Sequence, residues 1–311
     1  MTTFPLEEYL RFTVICKNNM CDLNLYLTEI RKRIDAHLDH LLPKQDVPYQ
    51  SLLMAGRYSL FSGGKRLRPV LALATVEVLG GDQNKALTPA CCLELIHTYS
   101  LIHDDLPSMD NDDTRRGKPT LHRVFPEAHA VLAGDLLLTK TFQLLTQAPF
   151  LSDREKVQLI EVISTSAGDE GMLGGQVMDI EASAHETTLE NLESIHKSKT
   201  GRLITASIQM GAICANASDQ EMEALISFGE NIGLAFQIID DVLDVTHFKK
   251  KEGLSSDQIN GKATYVSLMG VTKAKDEAQK YLSYAMDALD RLPQDTSRLN
   301  TIATSLVDRK I

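Results

Sequence analysis

Apolar residues recur at steps of three and four along almost the whole chain, whereas the alternation of apolar and polar residues that is typical of strands is hard to find. Clusters of glycine, proline and small polar residues interrupt this pattern at 43–48, 62–64, 80–81, 107–119, 149–153, 171–175, 217–219, 253–261 and 293–296. The pattern predicts about ten helices, many of them longer than the average of ~12 residues. Since no linker or shift in composition divides them, we expect a single all-α domain.

The helix before the fourth interruption ends in an unusual group of acids. The stretch "LIHDDLPSMDNDD" holds Asp104, Asp105, Asp110, Asp112 and Asp113, directly behind apolar residues that read as a buried helix. A helix C-terminus attracts cations and repels carboxylates. We therefore expect a positive group there that the sequence does not itself supply.

A second acidic group lies on what should be the buried face of a later helix. The apolar face runs through Leu225, Ile232 and Phe236, and the next positions on it are Asp240 and Asp244. A buried carboxylate must be protonated, paired or bound to a metal, because leaving it unpaired costs several kcal/mol. Two such groups predict Mg²⁺, which suits one or two carboxylates plus a substrate phosphate.

Basic residues near glycines predict where phosphates bind. "SGGKRLRPV" places Lys65, Arg66 and Arg68 after a glycine turn, and Pro69 suits the first position of the following helix. Arg115-Arg116 follow the first acidic group. Acids for a metal beside bases for phosphate indicate a diphosphate or triphosphate substrate. The sequence has no P-loop and no dinucleotide-binding glycine motif, so the phosphate is a candidate leaving group.

Composition narrows the function classes further. The formal charge of -10 argues against a nucleic-acid partner, since phosphate backbones require a basic face. Five cysteines without zinc spacing indicate free thiols in a reducing compartment. No apolar run approaches the roughly 18 residues of a membrane span, and the first residues do not resemble a signal peptide. We expect a cytoplasmic protein without stable membrane insertion.

Six blocks resemble, in order, those of the trans-isoprenyl diphosphate synthases (polyprenyl synthetases): "GGKRLRP", "DDLPSMD", "AGDLLLT", "GGQVMD", "HKSKTG" and "FQIIDDVLD". Within that family they look most like bacterial farnesyl diphosphate synthase. The resemblance spans roughly residues 25–311 and leaves 1–24 as an N-terminal extension of uncertain role. It implies the isoprenoid synthase fold, with about ten core helices around a deep central cavity, a homodimer, and three Mg²⁺ ions, with Mn²⁺ as an alternative.

The resemblance also implies a reaction, the head-to-tail condensation of isopentenyl diphosphate with dimethylallyl or geranyl diphosphate. The allylic substrate ionises, the carbocation is attacked, and a proton is lost with release of diphosphate. The metal ligands implied are Asp104, Asp105, Asp110, Asp240 and Asp244. The residues implied to face the allylic diphosphate are Arg115, Lys199 and Lys262. Those implied to bind isopentenyl diphosphate are Lys65, Arg68, His97 and Arg116.

The remaining implied roles concern the cation and the length of the product. Stabilisation of the carbocation falls to Thr200, Gln237 and the backbone of Lys199. Gln176 and Asp179 would line the same cavity. Tyr99 lies five residues before Asp104, about 7.5 Å deeper along the helix, where a bulky ring would stop growth near C15 or would simply pack in the core.

Some alternatives stay open at this point. A geranylgeranyl (C20) synthase of the same family is the main one. A terpene cyclase is disfavoured, because the later metal-binding motif of that class differs from the residues found here. A non-enzymatic regulatory subunit is disfavoured too, because it would be expected to have lost acids from one of the two acidic groups. After the second acidic group, Lys249-Lys250-Lys251 stand where the family usually has a glycine-lysine pair, which leaves their contact with diphosphate undecided.

Overall fold

The computed structural model describes residues 23–182, 187–249 and 263–308 of this chain. It forms helices α1 Leu23–Leu41, α2 Gln50–Leu60, α3 Leu67–Val78, α4 Gln83–Asp104, α5 Leu121–Val124, α6 Glu127–Gln147, α7 Asp153–Ala167, α8 Met172–Glu181, α9 Leu189–His196, α10 Arg202–Cys214, α11 Asp219–Lys249, α12 Tyr265–Met269, α13 Val271–Leu289 and α14 Ser297–Val307. A π-helical turn, Lys197–Gly201, joins α9 to α10. One antiparallel ladder pairs β1 Thr114–Arg115 with β2 Lys118–Pro119.

Helices α4 and α10 form the centre of the molecule. Both are apolar on nearly every face, which is the pattern of a helix that is buried all round. Helix α4 packs against α3, α6 and α10, and α10 packs against α3, α7 and α11. Because α4 runs through the core and ends at Asp104, it carries the first acidic group out of an apolar interior.

The long helix α11 carries the second acidic group. Its first turn is fixed by Ser218, whose hydroxyl accepts from the backbone N–H of Glu221 while the Glu221 carboxylate accepts from the N–H of Ser218. Leu225 and Ile232 are fully buried as the apolar pattern predicted. The helix packs along α13 and against α10 and the π-helical turn.

The predicted all-α class is confirmed, with twelve helices of eight residues or more in the described part of the chain. Two details of the prediction are wrong. The expected break at 171–175 falls at 168–171, and Gly174 and Gly175 lie inside α8 because they serve close packing rather than a turn. Pro69 is the third residue of α3, not the first, since Arg66 takes the N-cap in a left-handed conformation, φ 51°.

Three cysteines of the described chain, Cys91, Cys92 and Cys214, are buried free thiols, in agreement with the sequence. Cys16 and Cys21 lie outside the described residues. In the ranges that the structure describes, every helix is too short or too polar to cross a bilayer.

Candidate active site

A two-residue hairpin turn joins the two motifs that the sequence predicted to bind phosphate. Arg116 and Gly117 have φ 54° and 75°, the positive values that a type I′ turn needs at both central positions. The ladder pairs Arg115 with Lys118. This turn directs Arg115 towards the first acidic group, and Arg116 donates a hydrogen bond to the carbonyl of Gly63. The glycine loop before α3 and the acidic end of α4 therefore meet at the hairpin.

The first acidic group divides into members with different surroundings. Asp104 is half-buried, and its pKa is raised to about 6 by burial, with Asp110 and Asp105 adding to the increase and Lys199 and Arg115 opposing it. Asp105 is 4% exposed and accepts from the Nε of Arg115 at 2.6 Å. Asp110 is exposed. Carboxylates crowded together in this way fit a hard cation such as Mg²⁺.

The second acidic group shows the same division. Asp240 and Asp244 are half-buried, and Asp240 is close enough to raise the pKa of Arg68 against the effect of burial. Asp241 is 7% exposed, and its carboxylate accepts from the backbone N–H of Tyr265 at 2.8 Å. The sequence did not assign Asp241 a role, and its partner 24 positions later carries no local signal.

Three of the predicted diphosphate-binding cations, Arg68, Arg115 and Arg116, lie near His97. Burial lowers the pKa of His97 well below its ordinary value, and the charges of Arg68, Arg116 and Arg115 lower it further. His97 is therefore uncharged at neutral pH and can act as a hydrogen-bond donor among fixed cations. Burial and Arg116 also lower the pKa of Arg68, to about 10, so its guanidinium stays charged at neutral pH. Lys65 is exposed.

Arg66 has a different role from its neighbours. The residue is 4% exposed, and its guanidinium donates to the carbonyl of Leu60 at 2.7 Å, to Glu94 at 2.8 Å and to Asp35 at 2.8 Å. It holds the left-handed turn before α3 and does not face the site. The signal that sequence reasoning missed is Glu94, an acid inside the apolar run "CCLELI" that could be buried only with a cationic partner.

The π-helical turn supplies the other predicted residues. Lys199 forms an ion pair with Asp179 at 2.7 Å, and its charge lowers the pKa of Asp104. Thr200 is half-buried in the same turn. Gln176 of α8 is 8% exposed, and neither its amide nitrogen nor its amide oxygen has a hydrogen-bond partner. An orphaned buried amide of this kind indicates a bound water or ligand group.

Other predicted residues have clear positions. Gln237 is half-buried on α11, one turn before Asp241. Tyr99 is 4% exposed, its ring contacts His103 edge-on at 5.8 Å, and burial together with the charge of Asp104 raises its pKa to about 12. Lys262, Lys250 and Lys251 lie outside the described residues.

The described parts of both acidic groups thus belong to one electrostatic set. The charge of Asp240 raises the pKa of Arg68, those of Arg68 and Arg116 lower the pKa of His97, and that of Lys199 opposes the increase at Asp104. Arg115 donates a hydrogen bond to Asp105. Among residues 23–182, 187–249 and 263–308, no three His, Cys, Asp or Glu side chains form a group that could hold a metal ion by themselves. This is compatible with Mg²⁺ held partly by substrate phosphates.

Comparison with known proteins decides the family. The model of the polyprenyl synthetase family matches residues 49–303. The chain belongs to the polyprenyl synthetase family. It is 45% identical over 267 residues to farnesyl diphosphate synthase from Bacillus subtilis (strain 168), covering 85% of this chain and 90% of that protein. It is 41% identical over 294 residues to geranylgeranyl diphosphate synthase from Cyanophora paradoxa, covering 93% and 97%.

A solved structure agrees with this assignment. The crystal structure of geranyltransferase from Legionella pneumophila matches with a TM-score of 0.83 and 34% identity, covering 93% of this chain and 98% of that one. The predicted family, fold class and prenyltransferase enzyme type are confirmed. The relatives include both farnesyl and geranylgeranyl synthases, so the length of the product, the boundary at residue 25 and the roles of individual site residues stay predictions.

Proposed function

We propose that this polyprenyl synthetase condenses isopentenyl diphosphate with dimethylallyl or geranyl diphosphate and that its main product is the C15 compound, farnesyl diphosphate. The observation that carries the proposal is the single electrostatic set, in which cations and carboxylates from α3, α4, the hairpin, the π-helical turn and α11 act on one another. Such a set suits two diphosphates that must lie side by side.

The cations divide between the two substrates. In this proposal Lys65, Arg68 and Arg116 bind the diphosphate of isopentenyl diphosphate, and uncharged His97 donates a hydrogen bond to it. Arg115 and Lys199 face the allylic diphosphate. Support comes from position, because Arg116 lies over the glycine loop before α3 whereas Lys199 acts on Asp104 across the site.

The half-buried carboxylates Asp104, Asp240 and Asp244, together with the exposed Asp110, are the candidate Mg²⁺ ligands. Asp104 and Asp110 would hold ions on one side and Asp240 and Asp244 on the other, while Asp105, already bonded to Arg115, is the weakest candidate. Mg²⁺, when bound, would offset the negative charge of the diphosphate. We propose three ions per site, with Mn²⁺ as a substitute.

Ionisation of the allylic carbon–oxygen bond places negative charge on the departing diphosphate. Arg115 and Lys199 stabilise that charge more in the transition state than in the ground state, which is the condition for acceleration. Thr200, Gln237 and the carbonyl of Lys199 present dipoles to the developing carbocation. The proton lost after condensation passes to the released diphosphate in this scheme, and the buried apolar surroundings of Tyr99 exclude water.

Activity is tested directly with purified protein. Labelled isopentenyl diphosphate is incubated with each allylic diphosphate and Mg²⁺, and the products are separated by length after removal of the diphosphate. We expect C15 as the main product and complete loss of condensation with a chelator, restored by added Mg²⁺. Absence of condensation under these conditions refutes the function.

The length of the product is tested at Tyr99. Tyr99→Ala removes the ring beneath Asp104, so the expected main product shifts from C15 to C20 or longer. Tyr99→Phe is the matched control, since it keeps the ring and removes only the hydroxyl, and should still make C15. C20 as the main product of the unaltered protein would favour a geranylgeranyl synthase, and an unchanged length in Tyr99→Ala would exclude Tyr99 as the limit.

We also propose that the protein is a homodimer. Helices α6 and α7 pack against each other and present large apolar side chains to solvent, Val131, Leu132 and Val157. Light scattering on the purified protein measures the mass in solution. We expect twice the chain mass, and a monomer for the variant that carries Leu132→Asp and Val157→Asp together.

A further inference from the structure

The turn that carries Lys199 and Thr200 has an unusual backbone. Residues Lys197–Gly201 form a π-helix, with the N–H of Arg202 bonded to the carbonyl of Lys197 five residues earlier. Helices α9 and α10 continue on either side of it. Because each residue of an α-helix advances about 100° around the axis, the extra residue of a π-turn changes the direction in which the neighbouring side chains point. π-Turns are uncommon and need an external reason to persist.

One such reason is Gly175 of α8. A Cβ atom at this position would lie 2.6 Å from the Cα of Lys199 and 2.8 Å from the carbonyl carbon of Ser198, and closer still to the backbone nitrogen of Lys199. These are backbone atoms, which cannot swing aside. The backbone of α8 therefore lies directly against the π-helical turn, and only glycine allows that approach.

A second glycine packs on the turn from the opposite helix. A Cβ at Gly233 of α11 would lie 3.1 Å from the Cα of Gly201 and 3.7 Å from the Cβ of Ile204. One turn earlier on α11, Gly229 makes a similar approach to α10, with its Cβ position 2.9 Å from the Cα of Thr205. Gly229 contacts the ordinary α-helical part of α10, so it has the same packing without the π-turn.

We propose that Gly175 and Gly233 are positioning residues that hold the π-helical turn between α8 and α11, and through it fix Lys199 and Thr200 for ionisation of the allylic diphosphate. The contact also explains the pairing of Lys199 with Asp179, because Asp179 lies one turn after Gly175 on α8. Gly175 thus sets the distance at which the ammonium group of Lys199 meets its carboxylate partner and acts on Asp104.

This inference rests on the proposed function and predicts a selective kinetic effect. A methyl group at Gly175 forces the turn away from α8, which misplaces Lys199 and Thr200 but leaves Lys65, Arg68 and Arg116 where they are. For Gly175→Ala we expect kcat to fall at least about tenfold, with the KM for isopentenyl diphosphate changed less than about threefold. In Gly233→Ala the neighbouring atom need give way by only a few tenths of an ångström, so kcat should fall less than in Gly175→Ala.

Two controls separate positioning from general packing. Gly229→Ala, whose Cβ would lie 2.9 Å from the Cα of Thr205, strains α11 against α10 about as much as Gly233→Ala strains α11 against the π-helical turn. It should lower the Tm while kcat, corrected for the folded fraction, stays within about threefold of the unaltered protein. In a Lys199→Ala background, Gly175→Ala should lose the part of its effect that acts through Lys199, because two residues that act through one group are not additive. If Gly175→Ala does not fold, Gly233→Ala with the same two controls carries the test.

The outcomes distinguish this inference from the function beneath it. No condensation by the unaltered protein refutes the proposed function. If the unaltered protein is active, three results would overturn the positioning role alone. These are an unchanged kcat in Gly175→Ala and Gly233→Ala, an equally large loss of kcat in Gly229→Ala, or a loss of kcat by Gly175→Ala that is just as large in the Lys199→Ala background.

Discussion

The candidate active site contains two pairs of adjacent acids, Asp104-Asp105 at the end of α4 and Asp240-Asp241 within α11. Each pair buries one carboxylate, and the buried carboxylate has a different hydrogen-bond partner in each. In each pair the first acid is half-buried and acts on the cations of the site, and the second is buried and bonded to the protein. Asp105 is bonded to a full charge on Arg115, whereas Asp241 is bonded to a neutral backbone N–H. Two adjacent carboxylates therefore need not share a function.

The difference in partners reflects where each pair lies. Asp105 follows the last residue of α4, where a hairpin can bring an arginine to it. Asp241 lies inside a helix, and the N–H that it binds belongs to the first residue of α12, which has no acceptor within its own helix. The second acid of each pair thus fastens a neighbouring segment, and the first is the one that we propose as a ligand of Mg²⁺.

The largest expected effect separates the first acid of each pair from the second. Asp104→Asn and Asp240→Asn keep the shape of the side chain but remove the charge that would hold Mg²⁺, so we expect kcat to fall about a thousandfold or more. The Tm measured without substrate should change little. Steady-state kinetics and thermal unfolding check both statements, and near-normal turnover in either variant would contradict the division of roles.

Much of this arrangement could be predicted from the sequence. The helical periodicity placed Leu225 and Ile232 on the buried face of α11 and Asp240 on the same stripe, and the glycine and proline clusters marked most of the helix ends. These features are local, since they depend on residues three or four positions apart. The order of the six motifs then indicated the family.

The parts that the sequence did not reveal depend on distant contacts. Nothing near Arg66 distinguishes it from Arg68, and only the fold shows that Glu94 and Asp35 occupy its guanidinium. The π-helical turn has no compositional signature, because it is held by glycines on two other helices. The sequence placed Gly175 in a predicted break between helices, because glycine is favoured both in turns and where two backbones pack closely.

The next effect, on stability, tests the second acid of α11. Asp241→Ala leaves the buried N–H of Tyr265 without an acceptor, which should lower the free energy of unfolding by about 1–3 kcal/mol. Asp241→Asn is the matched control, because its amide oxygen can still accept the hydrogen bond. Urea unfolding without Mg²⁺ or substrate measures both, and equal losses would show that the charge of Asp241 is needed after all.

A smaller effect, visible in its pH dependence, tests the second acid of α4. Burial raises the pKa of Asp105 above its ordinary 3.8, although the hydrogen bond and charge of Arg115 oppose the increase. A raised carboxyl pKa means that the folded protein binds the proton more tightly than the unfolded chain, so the ionised group costs stability at neutral pH and the cost disappears as the pH falls towards 3.8.

Asp105→Asn removes that titration. The free energy of unfolding of the unaltered protein, minus that of Asp105→Asn, should therefore increase as the pH is lowered from 7 towards the ordinary carboxyl pKa, measured by urea unfolding in the absence of Mg²⁺. A difference that decreases over the same range would mean that Arg115 outweighs burial and that Asp105 is stabilised in its ionised form.

The smallest effect belongs to the acid at the far end of the first group. Asp113 pairs with the Nε of Arg123 at 2.6 Å, but both side chains are more than half exposed. An ion pair in solvent gains little, because water and salt screen it and two side chains lose freedom. Asp113→Asn should cost about 0.5 kcal/mol or less and leave kcat unchanged. A large loss of activity would place Asp113 in the site and remove the contrast between acids that face substrate, acids that fasten the chain and acids that face water.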